Sequence, residues 1–98
     1  MAKKTYRSTN NTSFFGTTFH ASVRQLTKSF GDPTMDSNWG EDKVNFEWEM
    51  ETEDGDVFTI YDWKEGRPLG KDEMIQWHIG GFSESITNQA KREILNQL

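Results

Sequence analysis

The chain has no cysteine, which excludes a disulfide framework and a thiolate metal site and leaves packing and hydrogen bonding to hold the fold. Packing material is scarce as well: hydrophobic residues make up 33% of the 98, against about 45–50% in an average domain. Apolar runs stop at two to three residues, so no segment reads as a membrane span. The leader "MAKKTYRSTNNTS" carries charge with no apolar segment behind it, unlike a signal peptide. Catalytic and cofactor signatures are missing too. There is no G-x-G-x-x-G, no P-loop and no G-x-S-x-G, and the two histidines, His20 and His78, stand far apart with no serine beside an evident base. Carboxylates crowd Glu41 to Asp56, but "ETEDGD" lacks the twelve-residue calcium loop and its closing glutamate. The expectation is a non-enzymatic protein with no cofactor and no metal.

What the chain does have is rings: 7 Phe, 4 Trp and 2 Tyr, each burying far more area than an aliphatic side chain. It is also acidic, and unevenly so. Net charge is −5, and with Lys3, Lys4 and Arg7 set aside, residues 14–98 hold 8 basic against 16 acidic side chains. Such a body repels phosphate backbones, so duplex nucleic acid is not an expected partner, and neither is a membrane.

Residues 1–13 are polar and read as a flexible arm, leaving 14–98 as one domain. "SFFGTTFHA" favours a strand, with Phe15, Thr17 and Phe19 on one side. The period then changes: Val23, Leu26 and Phe30 form a helical stripe, Ser22 with Gln25 makes a capping box, and Gly31 followed by Pro33 ends the helix. "TMDSNWGED" reads as a loop. After it, Val44, Phe46, Trp48 and Met50 alternate with Asn45, Glu47, Glu49 and Glu51, the pattern of a half-buried strand.

Asp54-Gly55 favours a two-residue hairpin turn. Centred there, the hairpin pairs Met50 with Thr59, Trp48 with Tyr61 and Phe46 with Trp63, which makes Phe46, Trp48, Tyr61 and Trp63 the expected centre of the fold. Glu47 would then oppose Asp62, and Glu49 would oppose Ile60. "MIQWHIGG" supplies a further strand with Trp77 and Ile79 on one face. The final helix starts at a Ser83 cap and carries a stripe of Ile86, Ala90, Ile94 and Leu98. The expected fold is α+β, a small antiparallel sheet in β-α-β-β-β-α order with two helices packed on one face.

One local reversal of sign stands out. Lys64, Arg67 and Lys71 fall within eight positions, between Trp63 and Trp77-His78. A cationic loop flanked by rings suits a ligand with a phosphate to neutralise and a base to stack. The row Glu47, Glu49 and Glu51 along one strand face reads as a solvated surface that keeps the sheet from sticking to others. It also suits an acidic mimic of a phosphate backbone.

The succession "FGDP" (Phe30–Pro33), "KVNFEW" (Lys43–Trp48), "DGDVFTIYDWK" (Asp54–Lys64) and "WHIGG" (Trp77–Gly81) resembles a family of short bacteriophage-encoded proteins. In that family a strand–helix–F-G-x-P segment precedes an I-Y-D-W-K strand and a W-H-I-G-G strand. The resemblance covers about Phe15 to Leu98. It brings no catalytic residues, and it implies a phage origin, residence in the host cytoplasm and kinship in size and style with counter-defence factors. Such factors soak up a nucleotide immune signal or block a defence protein directly.

Together these features lead to an expected sponge for a small anionic nucleotide-type ligand, a cyclic dinucleotide or an ADP-ribose derivative. Tyr61, Trp63 and Trp77 would stack on it, Lys64 and Arg67 would neutralise phosphate, and His78 with the Gly80 and Gly81 amides would hydrogen-bond it. Because so short a chain can hardly enclose a ligand, a homo-oligomer is expected to complete the pocket. The alternative is an acidic inhibitor that binds a host defence protein, such as a CRISPR or other nuclease, as a DNA mimic.

Overall fold

The computed structural model describes residues 1–38 and 43–98. In chain order the elements are β1 (Lys3–Lys4), β2 (Ser13–Ala21), α1 (Val23–Phe30), β3 (Met35–Asp36), β4 (Phe46–Glu51), β5 (Val57–Tyr61), β6 (Ile75–Gly81) and α2 (Glu84–Gln97). The strands form one antiparallel sheet in the order β1-β4-β5-β6-β2, with β3 alongside β1 on the outer edge of β4. The α+β architecture with two helices is as expected, with two additions. Met35–Asp36, inside the expected loop, pairs with Glu47 and Phe46. Lys3–Lys4, inside the expected arm, pairs with Glu51 and Met50. Residues 39–42, the end of that loop, lie outside the described residues.

Local signals set the helix ends. Ser22 accepts from the Gln25 amide while the Gln25 side chain accepts from the Ser22 amide, a complete capping box, and Gly31 closes α1 at a φ of 83°. Ser83 caps α2 by accepting from the Ile86 amide. The buried residues of α2 are Thr87, Ala90 and Ile94, so the expected stripe is rotated: Thr87 replaces Ile86 at its start, bonded to Thr17 of β2 through paired hydroxyls 2.8 Å apart.

The β4–β5 register corrects the sequence-based expectation by one residue. Met50 pairs with Phe58, Trp48 with Ile60, Glu49 with Thr59 and Glu47 with Tyr61. The cause is the turn. The Thr52 amide bonds the Asp56 carbonyl, the Gly55 amide bonds the Thr52 carbonyl, and Gly55 sits at a φ of 87°. Gly55 therefore occupies the left-handed position of a three-residue loop, not the second place of a two-residue turn. The Thr52 hydroxyl secures this by accepting from the Asp56 amide.

A slip of one residue transfers every side chain of a strand to the other face. Phe58 and Ile60 consequently join the core at 0% exposure, while Tyr61 turns to the opposite face and Trp63 lies beyond the strand, 41% exposed. The expected ring quartet does not form. The centre of the core is instead Trp48 edge-on to Trp77 at 5.5 Å, with Phe46 beside Trp48. Each buried indole satisfies its N–H, Trp48 on the Gly31 carbonyl and Trp77 on the Ala21 carbonyl. Leu26 and Phe30 of α1 and Ala90 and Ile94 of α2 share that core with Phe19, Met50 and Ile79, so both helices cover the same face of the sheet.

Asp62, expected on the outer face, is fully buried and accepts from the Asn45 and Phe46 amides and the Asn45 side chain. It pins the start of β4 to the end of β5.

The helix-free face is partly strapped. β1 and β2 lie at opposite edges of the sheet, four strand steps of about 4.8 Å apart, a span of roughly 19 Å that eight residues can cross at about 3.3 Å each. Residues 5–12 make that crossing. The Thr9 hydroxyl bonds the Glu49 carboxylate, the Arg7 guanidinium bonds the Gly55 carbonyl, and the Thr12 hydroxyl bonds the Thr9 carbonyl. The strap explains why Val57 and Thr59, on a face without helices, are each 4% exposed. No helix among the described residues is long and apolar enough to cross a membrane.

Candidate functional site

Beside the strap, the helix-free face carries a ladder of four rings. Phe14 of β2 stacks on His78 of β6 at 4.3 Å, His78 meets Tyr61 of β5 edge-on at 5.6 Å, and Tyr61 meets Trp63 edge-on at 6.3 Å. Strand alternation places Tyr61 and His78 opposite each other in the β5–β6 ladder. Phe14 reaches them because β2 bulges between Phe14 and Thr18, where Gly16 adopts a φ of 92°. The bulge breaks the expected alternation of Phe15, Thr17 and Phe19: Thr17 and Phe19 face the core, while Phe15 is 41% exposed.

A hollow of about 280 Å³ opens at the Trp63 end of the ladder, lined by Thr12, Ser13, Val44, Glu47, Thr59, Tyr61, Trp63 and Gly80. Its floor depends on Gly80. A Cβ there would fall 2.6 Å from the Thr59 hydroxyl and 3.5 Å from the Tyr61 ring, so any larger residue would force Thr59 and Tyr61 aside and fill the space. Its wall depends on the strap, which brings Thr12 over the sheet at the start of β2.

At the rim, the ammonium groups of Lys43 and Lys64 lie 5.9 Å and 5.5 Å from the Trp63 ring centroid. Lys64 adopts a φ of 54°, a left-handed conformation that costs a residue with a Cβ about 1–2 kcal/mol. It is held there by the bond from its amide to the Lys43 carbonyl, 2.7 Å. This strained turn brings both lysines to one ring.

Burial sets the protonation of the site. It pushes the Glu47 carboxyl above its ordinary 4.5, with Glu49 adding to the effect. It pushes the Tyr61 phenol above 10.0, with Glu47 adding. It holds the His78 imidazole below 6.5, against the opposing pull of Glu65. At neutral pH the described residues of the site therefore present a neutral imidazole and an intact phenol, with the hydroxyls of Thr12 and Thr59 and the Glu47 side chain at the hollow and Lys43 and Lys64 at its rim. Such a set can stack a planar ring, accept hydrogen bonds from it and neutralise a charged substituent at the rim.

Of the residues expected from sequence to meet a ligand, Tyr61, Trp63, Lys64, His78 and Gly80 are brought together here. Three are not. Trp77 is 0% exposed in the core, so no ligand reaches its ring. The Arg67 guanidinium forks onto both Glu73 carboxylate oxygens, and its charge is met within its own loop. Gly81 is buried toward α2, where a Cβ would fall 2.9 Å from Thr87. Gly80 takes part through the absence of a side chain, since its backbone pairs with Thr59 on one side and Phe14 on the other.

Sequence reasoning missed Phe14, Thr12, Ser13 and Lys43 and gave Glu47 another role. The correct hairpin register would have exposed Glu47 beside Tyr61, and the glycine inside a strand pattern was the signal for Phe14. The row Glu47, Glu49 and Glu51 does share one face, but Glu49 is engaged by Thr9 and Glu47 faces the hollow.

A larger depression, about 420 Å³, runs along α1 between Val23, Arg24, Thr27, Lys28 and Lys71. It contains no ring, and Arg24 is already paired with Asp72 at 2.6 Å, so it lacks the complementary chemistry of the ladder. No family model, curated protein or solved structure matches the chain.

Proposed function

We propose that the protein is a non-enzymatic binding protein that captures a nucleotide-type ligand on the helix-free face of its sheet. The base stacks against Trp63 and Tyr61 in the hollow, and the phosphate lies at the rim beside Lys43 and Lys64. The observation that carries this reading is the convergence of two exposed-side rings and two ammonium groups, on a body that otherwise repels anions, around one hollow of about 280 Å³.

That volume falls at the bottom of the usual range for small-molecule pockets, about 300–1,000 Å³. It suits a base, not a whole dinucleotide, so a larger ligand extends past the rim and a second copy of the chain completes its enclosure. The biological setting that fits is phage counter-defence in the host cytoplasm, with a cyclic dinucleotide or ADP-ribose derivative as the signal removed. A role as an acidic protein mimic has weaker support, because two of its three glutamates are engaged or turned into the hollow.

Calorimetry against cyclic dinucleotides, ADP-ribose derivatives and mononucleotides tests the reading. Binding is expected, and Trp63→Ala should weaken it about tenfold or more, since a base–aromatic stack is worth about 1–3 kcal/mol, while leaving the melting temperature nearly unchanged. Absence of heat across the panel at high protein concentration would remove the reading. Sedimentation with and without ligand reports whether copies associate around it.

A further inference from the structure

Among the described residues, Glu47 is the one charged side chain lining the hollow. Opposite Tyr61 in the β4–β5 ladder, it is half-buried with no hydrogen-bond or ion-pair partner among the described residues. Its oxygens still reach water, and a half-buried carboxylate with no protein donor gains when a ligand supplies N–H groups in place of that water. The other polar side chains lining the hollow among the described residues, those of Thr12, Ser13, Thr59 and Tyr61, carry hydroxyls that can donate or accept and do not discriminate. Burial, with Glu49 nearby, already disfavours the charge on Glu47, which is the condition under which a donor pair gains most.

We infer that the hollow selects a guanine base, whose N1–H and N2–H2 donors form two parallel hydrogen bonds to the Glu47 carboxylate while the ring stacks on Trp63. This rests on the reading that the site binds nucleotides and adds the identity of the base. The selection follows from donor count. Guanine presents two adjacent N–H donors on one edge, hypoxanthine and uracil present one, and adenine and cytosine set a donor beside an acceptor lone pair that would face the carboxylate and repel it. A paired, charge-assisted contact of this kind adds geometric specificity as well as strength.

The test is calorimetry with GMP, IMP, AMP, CMP and UMP, which share ribose and phosphate and differ in the base, on wild type, Glu47→Gln and Glu47→Asp. Circular dichroism checks that each variant is folded. Wild type should bind GMP about tenfold or more tighter than IMP, and tighter still than AMP. Glu47→Gln should lose most of that preference, its affinity for GMP falling toward its affinity for AMP, and Glu47→Asp, which keeps the charge but withdraws it, should fall between. Equal binding of all five by wild type overturns the inference and leaves nucleotide capture standing, as does a GMP preference that survives in Glu47→Gln. If none of the five nor any larger nucleotide binds, capture and base selection both fall.

Discussion

At the scale of the residue, His78 shows how position changes chemistry. Held between the Phe14 and Tyr61 rings, it loses protonation to burial despite Glu65 nearby. The sign of its effect on stability follows. As pH falls below 6.5, the unfolded chain takes up the proton before the folded one, so the unfolded state binds more protons and stability declines. The contribution is fully present above 6.5 and is lost as pH drops toward the lower folded value. Glu47 works in the opposite sense and in a lower window: its raised carboxyl takes up a proton first in the folded state, so stability is lost as pH rises from 4.5 through the folded value. The urea midpoint of wild type should therefore fall between pH 7.5 and roughly 5.5, and His78→Gln should flatten that slope. An unchanged slope in the variant would show that His78 is not the group responsible.

At the scale of the element, the β4–β5 hairpin decides which rings hold the molecule and which face solvent. Truncating a fully buried Phe costs about 3–5 kcal/mol, so Phe58→Ala should bring the protein close to unfolding, while Tyr61→Ala should cost about 1 kcal/mol, the centre of the range for ordinary substitutions. Thermal or urea melts compare them directly, and a reversed order would restore the register centred on Asp54-Gly55. The same hairpin marks the limit of what the sequence discloses. Both helix starts were legible because Ser22 with Gln25 and Ser83 act on amides within one turn of themselves. The register was not, because Asp-Gly fits either a two-residue turn or the end of a longer loop, and the deciding bond, Thr52 hydroxyl to Asp56 amide, lies outside that dipeptide. Tyr61, Trp63, Lys64, His78 and Gly80 were legible as a cluster since they crowd one stretch of chain. Thr12, Ser13 and Phe14 were not, because they reach the site only through a crossing over the sheet and a bulge. Trp77 shows the converse: adjacency in sequence to His78 put it on the opposite face.

At the scale of the whole molecule, the strap ties edge to edge and roofs the middle of the open face. Ala2, 4% exposed, exchanges hydrogen bonds with the Gln97 side chain at 2.7 and 3.0 Å, so the leader is fastened to α2 as well as to β4. Removing residues 1–12 should lower the melting temperature and speed amide hydrogen exchange across Glu49 to Glu51, where β1 and Thr5 otherwise cover the outer edge of β4. It should also weaken the proposed nucleotide binding, since Thr12 walls the hollow. Exchange rates unchanged by the truncation would mean that the edge is protected without it. The strand order has a kinetic consequence. Among the described residues β2 has β6 as its one long neighbour, and their paired residues lie 54 to 68 positions apart. It must wait, single and apolar on one side, until β6 has emerged. The β4–β5 hairpin, closed by a few residues, is the natural nucleus, and the sheet grows outward from its middle with β2 added late.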